Sequence, residues 1–243
     1  MRKALPGLVG AALLAAPAAA QTVEELLERS LEARGGRAAL AAVETVRMTG
    51  SIAMGEQDVP IVVEMKRPAR FRVEITFQGT PSVQAWDGAQ AWGIPPMALD
   101  AESLPAEAGR QLADQADFEG PLVEPAAKGH RVELAGRARV GDRDAWKLRV
   151  TRKGGDVEHF YLDATSCLPV RVESRRTVRG AEVEAETELA DYREAGGVLW
   201  PFTIRNSARG RPEKQAIAFR RIEVNVPIDD GRFRMPATAR PKR

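Results

Sequence analysis

The stretch from Phe71 to Trp92 constrains the fold more than any other. Phe71, Val73, Ile75 and Phe77 alternate with Arg72, Glu74, Thr76 and Gln78, the period of two that sends one set of side chains to an apolar face and the other to water. A helix would scatter these residues around its axis, so the segment reads as a half-buried strand. Gly79-Thr80-Pro81 then turns the chain, and Val83 to Trp86 and Ala89 to Trp92 form two short extended runs around Asp87-Gly88. Aromatic side chains therefore accumulate on neighbouring strands, and the apolar face they build needs a cover.

Upstream, Thr22 and Glu25 have the spacing of a capping box, and Val23, Leu26, Leu27 and Leu31 recur at helical spacing until Gly35-Gly36. Arg37 to Val43 reads as a second short helical turn. Val46, Met48, Gly50 and Ile52, then Val59, Ile61, Val63 and Met65, predict two antiparallel neighbours for the Phe71 strand. Ser103 and Pro105 start a helix whose apolar side is Leu104, Ala108 and Leu112. Phe118, Leu122 and Val123 follow as an irregular segment that still has apolar groups to bury. Strands resume over Val132–Leu134, Trp146–Val150, Val157–Leu162, Leu168–Val172, Val183–Leu189, Val198–Ile204 and Ile217–Val226. The fold class is α+β dominated by antiparallel sheet, with about eleven strands. Eight strands close a barrel around side chains or one small ligand, so this number must enclose more volume, flatten or be filled. Laid across the concave side, the helix of Leu104 and Leu112 fills that space against Phe71 and Phe77 and can move aside for a hydrophobic guest.

Arg2 and Lys3 precede an apolar run ending in Ala18-Ala19-Ala20, the pattern of a secretory signal peptide. Residues 1–20 are expected to be removed, leaving residues 21–243 as one domain without a membrane span. Without that leader, Lys+Arg falls from 36 to 34 against 34 Asp+Glu, so the basic balance belongs to the signal. The single cysteine, Cys167, cannot form an intramolecular disulfide and is expected to pack beside Leu168. His130 and His159 have no second ligand at metal spacing, which argues against a metal site. No nucleophile elbow, phosphate loop or dinucleotide motif occurs, and the charges form no basic stripe. The expectation is a non-enzymatic protein with no cofactor, no metal and no nucleic-acid partner. Asp229-Asp230, near Phe233, reads as a turn that pins the last segment.

Short phrases spread along the chain carry a family resemblance. They are Glu64-Met65-Lys66-Arg67-Pro68, Thr76-Phe77-Gln78-Gly79, Ala85-Trp86-Asp87-Gly88, Gly120-Pro121-Leu122-Val123, Lys128-Gly129-His130, Asp191-Tyr192-Arg193, Gly197-Val198-Leu199-Trp200-Pro201 and Ile228-Asp229-Asp230. In their order the chain resembles the LolA-like family of periplasmic outer membrane lipoprotein-sorting proteins. The resemblance implies an unclosed, half-barrel sheet with helices over its concave face, and a hydrophobic cavity for the acyl chains of lipoproteins or another lipid. On that basis Met48, Phe71, Val73, Ile75, Phe77, Trp86 and Trp92 are the expected cavity residues, and Leu104 and Leu112 the lid. It also implies a periplasmic location, with an inner-membrane transporter and an outer-membrane acceptor as partners. The alternative is an envelope interaction module that docks to a transporter or senses a lipidated partner with the same face.

Overall fold

The computed structural model describes residues 21–98, 100–178, 181–208 and 214–237; the expected signal peptide lies outside them. Two helices open the described chain. The first, α1 (Val23–Ala33), begins with the reciprocal capping box of Thr22 and Glu25, and α2 (Gly36–Ala41) follows after a left-handed Gly35 at φ 119°. Strands β1 (Thr45–Met54), β2 (Gln57–Lys66), β3 (Arg70–Phe77), β4 (Thr80–Trp86), β5 (Ala91–Ile94) and β6 (Glu102–Ser103) form the first meander. Helix α3 (Ala106–Ala116) separates it from β7 (Arg131–Val140), β8 (Arg143–Thr151), β9 (Val157–Asp163), β10 (Pro169–Val178), β11 (Ala181–Ala195), β12 (Val198–Ala208) and β13 (Gln215–Val224).

Among the described residues all thirteen strands belong to one antiparallel sheet, in the order β6-β5-β4-β3-β2-β1-β13-β12-β11-β10-β9-β8-β7. Two meanders are thus joined where the first strand pairs with the last. This is an unclosed barrel. Two features exceed the sequence expectation: β6 is a two-residue strand that no periodicity can announce, and β7 runs well beyond Val132–Leu134. The two edges are consecutive in sequence, so residues 104–130 must carry the chain from β6 across to β7. Both edges discourage further pairing. β6 is short, while β7 carries Arg131, Arg137 and Arg139 and a register shift between Leu134 and Gly136.

Helices cover one face of the sheet, here called the inner face. Its main core unites Val46, Met48 and Ile52 of β1, Ile61, Val63 and Met65 of β2 and Phe71 of β3 with Trp200 and Phe202 of β12, Phe219 and Ile222 of β13, and Leu31, Leu40 and Leu112 of the helices. A second inner cluster seats Leu26 of α1 on Leu148, Val150, Phe160 and Leu162.

The outer face is held differently. The carboxylate of Glu64, 1% exposed, receives Arg47 Nε at 3.0 Å and Arg232 Nε at 2.5 Å. Arg232 belongs to a C-terminal strap that crosses the outer face. Its Ile228 carbonyl accepts from Lys66 Nζ at 2.9 Å, and its Asp230 carboxylate pairs with Lys66 and Arg70 at 2.7 and 2.5 Å. Those partners hold the Asp230 carboxyl down at about 2. The Asp229-Asp230 turn does pin the last segment, and it delivers Phe233 fully buried.

The β1–β13 junction depends on a close approach. The register shifts between Thr49 and Gly50, and a Cβ added at Gly50 would lie 2.1 Å from the Ala218 carbonyl oxygen. Gly50→Ala must therefore push β13 away, and is expected to cost about 2 kcal/mol or more in urea-unfolding free energy. An unchanged unfolding midpoint would show that the junction tolerates a side chain there.

Candidate functional site

The sequence positions Phe71, Val73 and Ile75 on the inner side of β3 by alternation, and the β2–β3 register places them opposite Met65, Val63 and Ile61. The next register pairs Phe71 with Trp86, and the next pairs Trp86 with Ala91. The inner face of β3–β5 is thus an apolar floor. Exposure along its β3 row rises from Phe71, buried at 4%, through half-buried Val73 and Ile75 to Phe77 at 42%.

Helix α3 lies on this floor through small residues. Gly109, Leu112 and Ala116 are its buried positions, spaced along one side, and a Cβ at Gly109 would meet Ala91 Cβ at 3.4 Å and a Trp86 ring carbon at 3.6 Å. Leu104, just before the helix, sits over Gly93 and donates its N–H to the Ala91 carbonyl at 3.0 Å. The helix has weak local support: Pro105 at its N-cap provides no side-chain hydrogen bond, and Gly109 lowers its intrinsic helicity by roughly 1 kcal/mol relative to alanine.

The segment after α3 is firmly tied. Arg34, at the C-terminus of α1, donates to the carbonyls of Glu119 and Phe118 at 2.5 and 3.2 Å. Burial lowers the pKa of this guanidinium, while Tyr192, Asp117 and Glu119 oppose the shift. Arg67 donates to the Val43 and Leu40 carbonyls at 2.7 and 3.1 Å and to Glu119 Oε1 at 2.6 Å, with its guanidinium carbon 5.0 Å above the Phe118 ring. Lys128 closes the loop on Asp117 at 2.7 Å and on the Gly120 carbonyl at 3.0 Å. Beside these tethers a groove of about 50 Å³ opens between α1, residues 119–123, Phe160 and Pro169. That is room for a few water-sized groups.

Of the expected site residues, Met48, Phe71, Val73, Ile75, Trp86, Leu104 and Leu112 share the main inner cluster. Phe77 lies at the sheet rim. Trp92 is not with them: since Ala91 faces Trp86, alternation sends Trp92 to the outer face, where it joins Val83 and Ala85 and donates Nε1–H to the Phe233 carbonyl at 2.7 Å. Sequence reading missed Gly109 and Ala116, which are buried positions of the helix, and the tethers Arg34, Arg67 and Lys128. Their charge gave no cue, because their partners are mostly carbonyls distant in sequence. Among the described residues no three His, Cys, Asp or Glu side chains gather in a way that could hold a metal, and no helix is long and apolar enough to cross a membrane. His130 accepts the Lys153 N–H through Nδ1, and Cys167 is buried, with burial pushing its thiol pKa up.

Solved structures share this architecture. A LolA superfamily protein from Nitrosomonas europaea matches at TM-score 0.58 and 15% identity, over 88% of this chain and 98% of its own. This is the LolA-like fold. A domain from Vibrio parahaemolyticus, named for outer membrane lipoprotein sorting, matches this chain at 0.57 and 14% identity, with 87% and 97% coverage. A DUF1329 family protein from Desulfovibrio piger gives 0.60 at 12% identity, covering 88% of this chain and 98% of its own. No family sequence model matches the chain, and no curated protein matches it significantly in sequence.

The loop tethers make the protein acid-sensitive at this point. Burial opposes ionisation of Glu119, but the Arg67 hydrogen bond and the Lys128 charge outweigh it and hold the carboxyl below its usual 4.5. Its contribution is present above that unfolded value and is lost as pH falls through the lower folded one. Protection factors of the Gly120 and Val123 amides should drop below about pH 4.5. In Glu119→Gln they should already be reduced at neutral pH, by an opening free energy of about 1 kcal/mol, and should change less with acid.

Proposed function

We propose that this protein is a non-enzymatic periplasmic carrier that holds acyl chains of a lipoprotein or another lipid between α3 and the floor of β3–β5. The observation that carries this reading is the asymmetry of the 104–130 crossover. Its second half is fixed by three cationic tethers, whereas α3 rests on the floor through Leu104, Gly109, Leu112 and Ala116 with little support at its N-terminus. A helix so held can leave without unfolding the sheet.

The groove beside the tethers, about 50 Å³, is too small for an acyl chain, and a cavity of about 270 Å³ elsewhere is lined largely by charged and polar residues such as Arg149, Glu173 and Arg175, so in this reading the chain takes the place of α3 contacts on the floor. Burial contributes about 0.8 kcal/mol per CH₂, so one long chain compensates for the few side chains that α3 withdraws. The floor residues Met48, Phe71, Val73, Ile75 and Trp86 then change partners from helix to lipid. Support comes also from the fold shared with the lipoprotein-sorting domain of Vibrio parahaemolyticus. Export by residues 1–20, loading from an inner-membrane transporter and delivery to an outer-membrane acceptor complete the proposal.

Native mass spectrometry of gently purified protein, with extraction of the bound lipid, should reveal an acyl-bearing adduct. Ile75→Glu should remove it. Competition between lid and guest adds a prediction of opposite signs. Leu112→Ala should lower the stability of the lipid-free protein by about 2–3 kcal/mol yet raise acyl-chain affinity by roughly tenfold or more. Equal loss of stability and affinity would contradict the competition.

A further inference from the structure

We infer that the rim formed by Met54, Phe77 and Met97 is a docking edge for a neutral lipid bilayer, through which the acyl chain enters the inner face; the inference rests on the carrier reading above. Strands β1, β3 and β5 run in the same direction in their meander, so the turn after β1, the end of β3 and the loop after β5 lie at one end of the sheet. Large apolar side chains are exposed there from all three: Met54 at 45%, Phe77 at 42% and Met97 at 88%. Single exposed apolar residues are ordinary. Three on adjacent loops at one end form a pattern.

The rim continues the interior. By alternation Phe77 ends the row of Phe71, Val73 and Ile75, and Met54 ends the row of Val46, Met48 and Ile52. Each row passes from buried residues at its base to an exposed one at the rim, so an apolar track joins the candidate site to this end of the sheet. The backbone also projects these residues. Phe77 precedes a tight turn with Gln78 at φ 49° and Gly79 at φ 80°, and Met97 follows Pro95-Pro96 at φ 66°, a conformation that non-glycine residues adopt uncommonly. A soluble surface has no use for a methionine 88% exposed in that conformation. A bilayer interface does, since flexible thioethers and a phenyl ring partition readily among acyl chains.

Charge selects the kind of bilayer. Glu56 and Asp58 are exposed beside Met54, while Lys214, at the same end of the neighbouring β13, is neutralised by Glu186 and Glu188, so the edge at Met54 is acidic and an anionic surface would repel it. Neutral headgroups are therefore the expected partner.

The test is flotation of the mature protein with phosphatidylcholine vesicles, beside uptake of a soluble fluorescent fatty acid. Wild type should float, addition of phosphatidylglycerol should weaken flotation, and the M54E/M97E double variant should reduce it by about tenfold or more. Fatty-acid uptake by that variant should be unchanged, since neither residue lies under α3. Wild type that does not float, or a double variant that floats equally, overturns the docking edge. Fatty-acid uptake without flotation would sink the rim and leave the carrier reading standing; flotation without uptake would do the reverse.

Discussion

The structure depends on the pairing of β1 with β13. It joins two meanders back to back, and it leaves as free edges the two strands that follow one another in sequence, β6 and β7. The chain must then cross from one edge of the sheet to the other, and α3 with its following loop is that crossing. A cover over the inner face is thus a consequence of the strand order. Had the first strand paired with β12 or the edges met, the same helix would have been a surface ornament. Gly50 matters for this reason: a residue without a side chain at that point lets β13 come close in the pairing that sets the strand order.

Two faces of one sheet are stabilised by different physics, and the difference divides their tasks. Outside, Glu64 is surrounded by Arg47, Arg72 and Arg232, and the strap lays Phe233 and Met235 by Trp92 and Val83. Removing any one partner from such a buried carboxylate is strongly unfavourable, so the strap fixes β2–β5 from behind. Inside, the same strands meet α3 through dispersion contacts among small and aliphatic groups, which are non-directional and exchangeable for those of another hydrocarbon. A strand region held rigidly on one side can surrender its cover on the other without losing its register.

Much of the architecture was legible because period-two alternation is strong from Val46 to Phe77 and the capping box of α1 is explicit. The antiparallel class and the open barrel follow from those rows together with the family phrases. The failures have physical causes. Trp86 and Trp92 look like companions in sequence, but a one-residue offset across the Trp86–Ala91 pair separates them by the thickness of the sheet. β6 is defined by its partner Trp92–Gly93 alone. Arg34 holds backbone carbonyls, which every residue possesses, and Arg67 adds to two carbonyls a carboxylate 52 residues away, so no local sequence pattern marks these contacts. Phe233 was noticed only as a neighbour of the Asp229-Asp230 turn, although it is among the most buried side chains described.

The weakness of α3 acquires meaning in this setting. A helix with a serine or aspartate cap and leucines in place of Gly109 and Ala116 would be more stable in isolation, yet a Cβ at Gly109 already reaches contact distance from Ala91 and Trp86, which leaves no room for a leucine. The small side chain brings the helix axis close to the floor at Ala91 and Trp86 while burying few methylene groups. The free energy of holding scales with apolar area removed from water, so few buried methylenes make a weakly held cover. In the proposed carrier a cover built this way yields to a guest richer in methylenes, and the Lys128, Arg67 and Arg34 tethers hold the loop behind the helix in place.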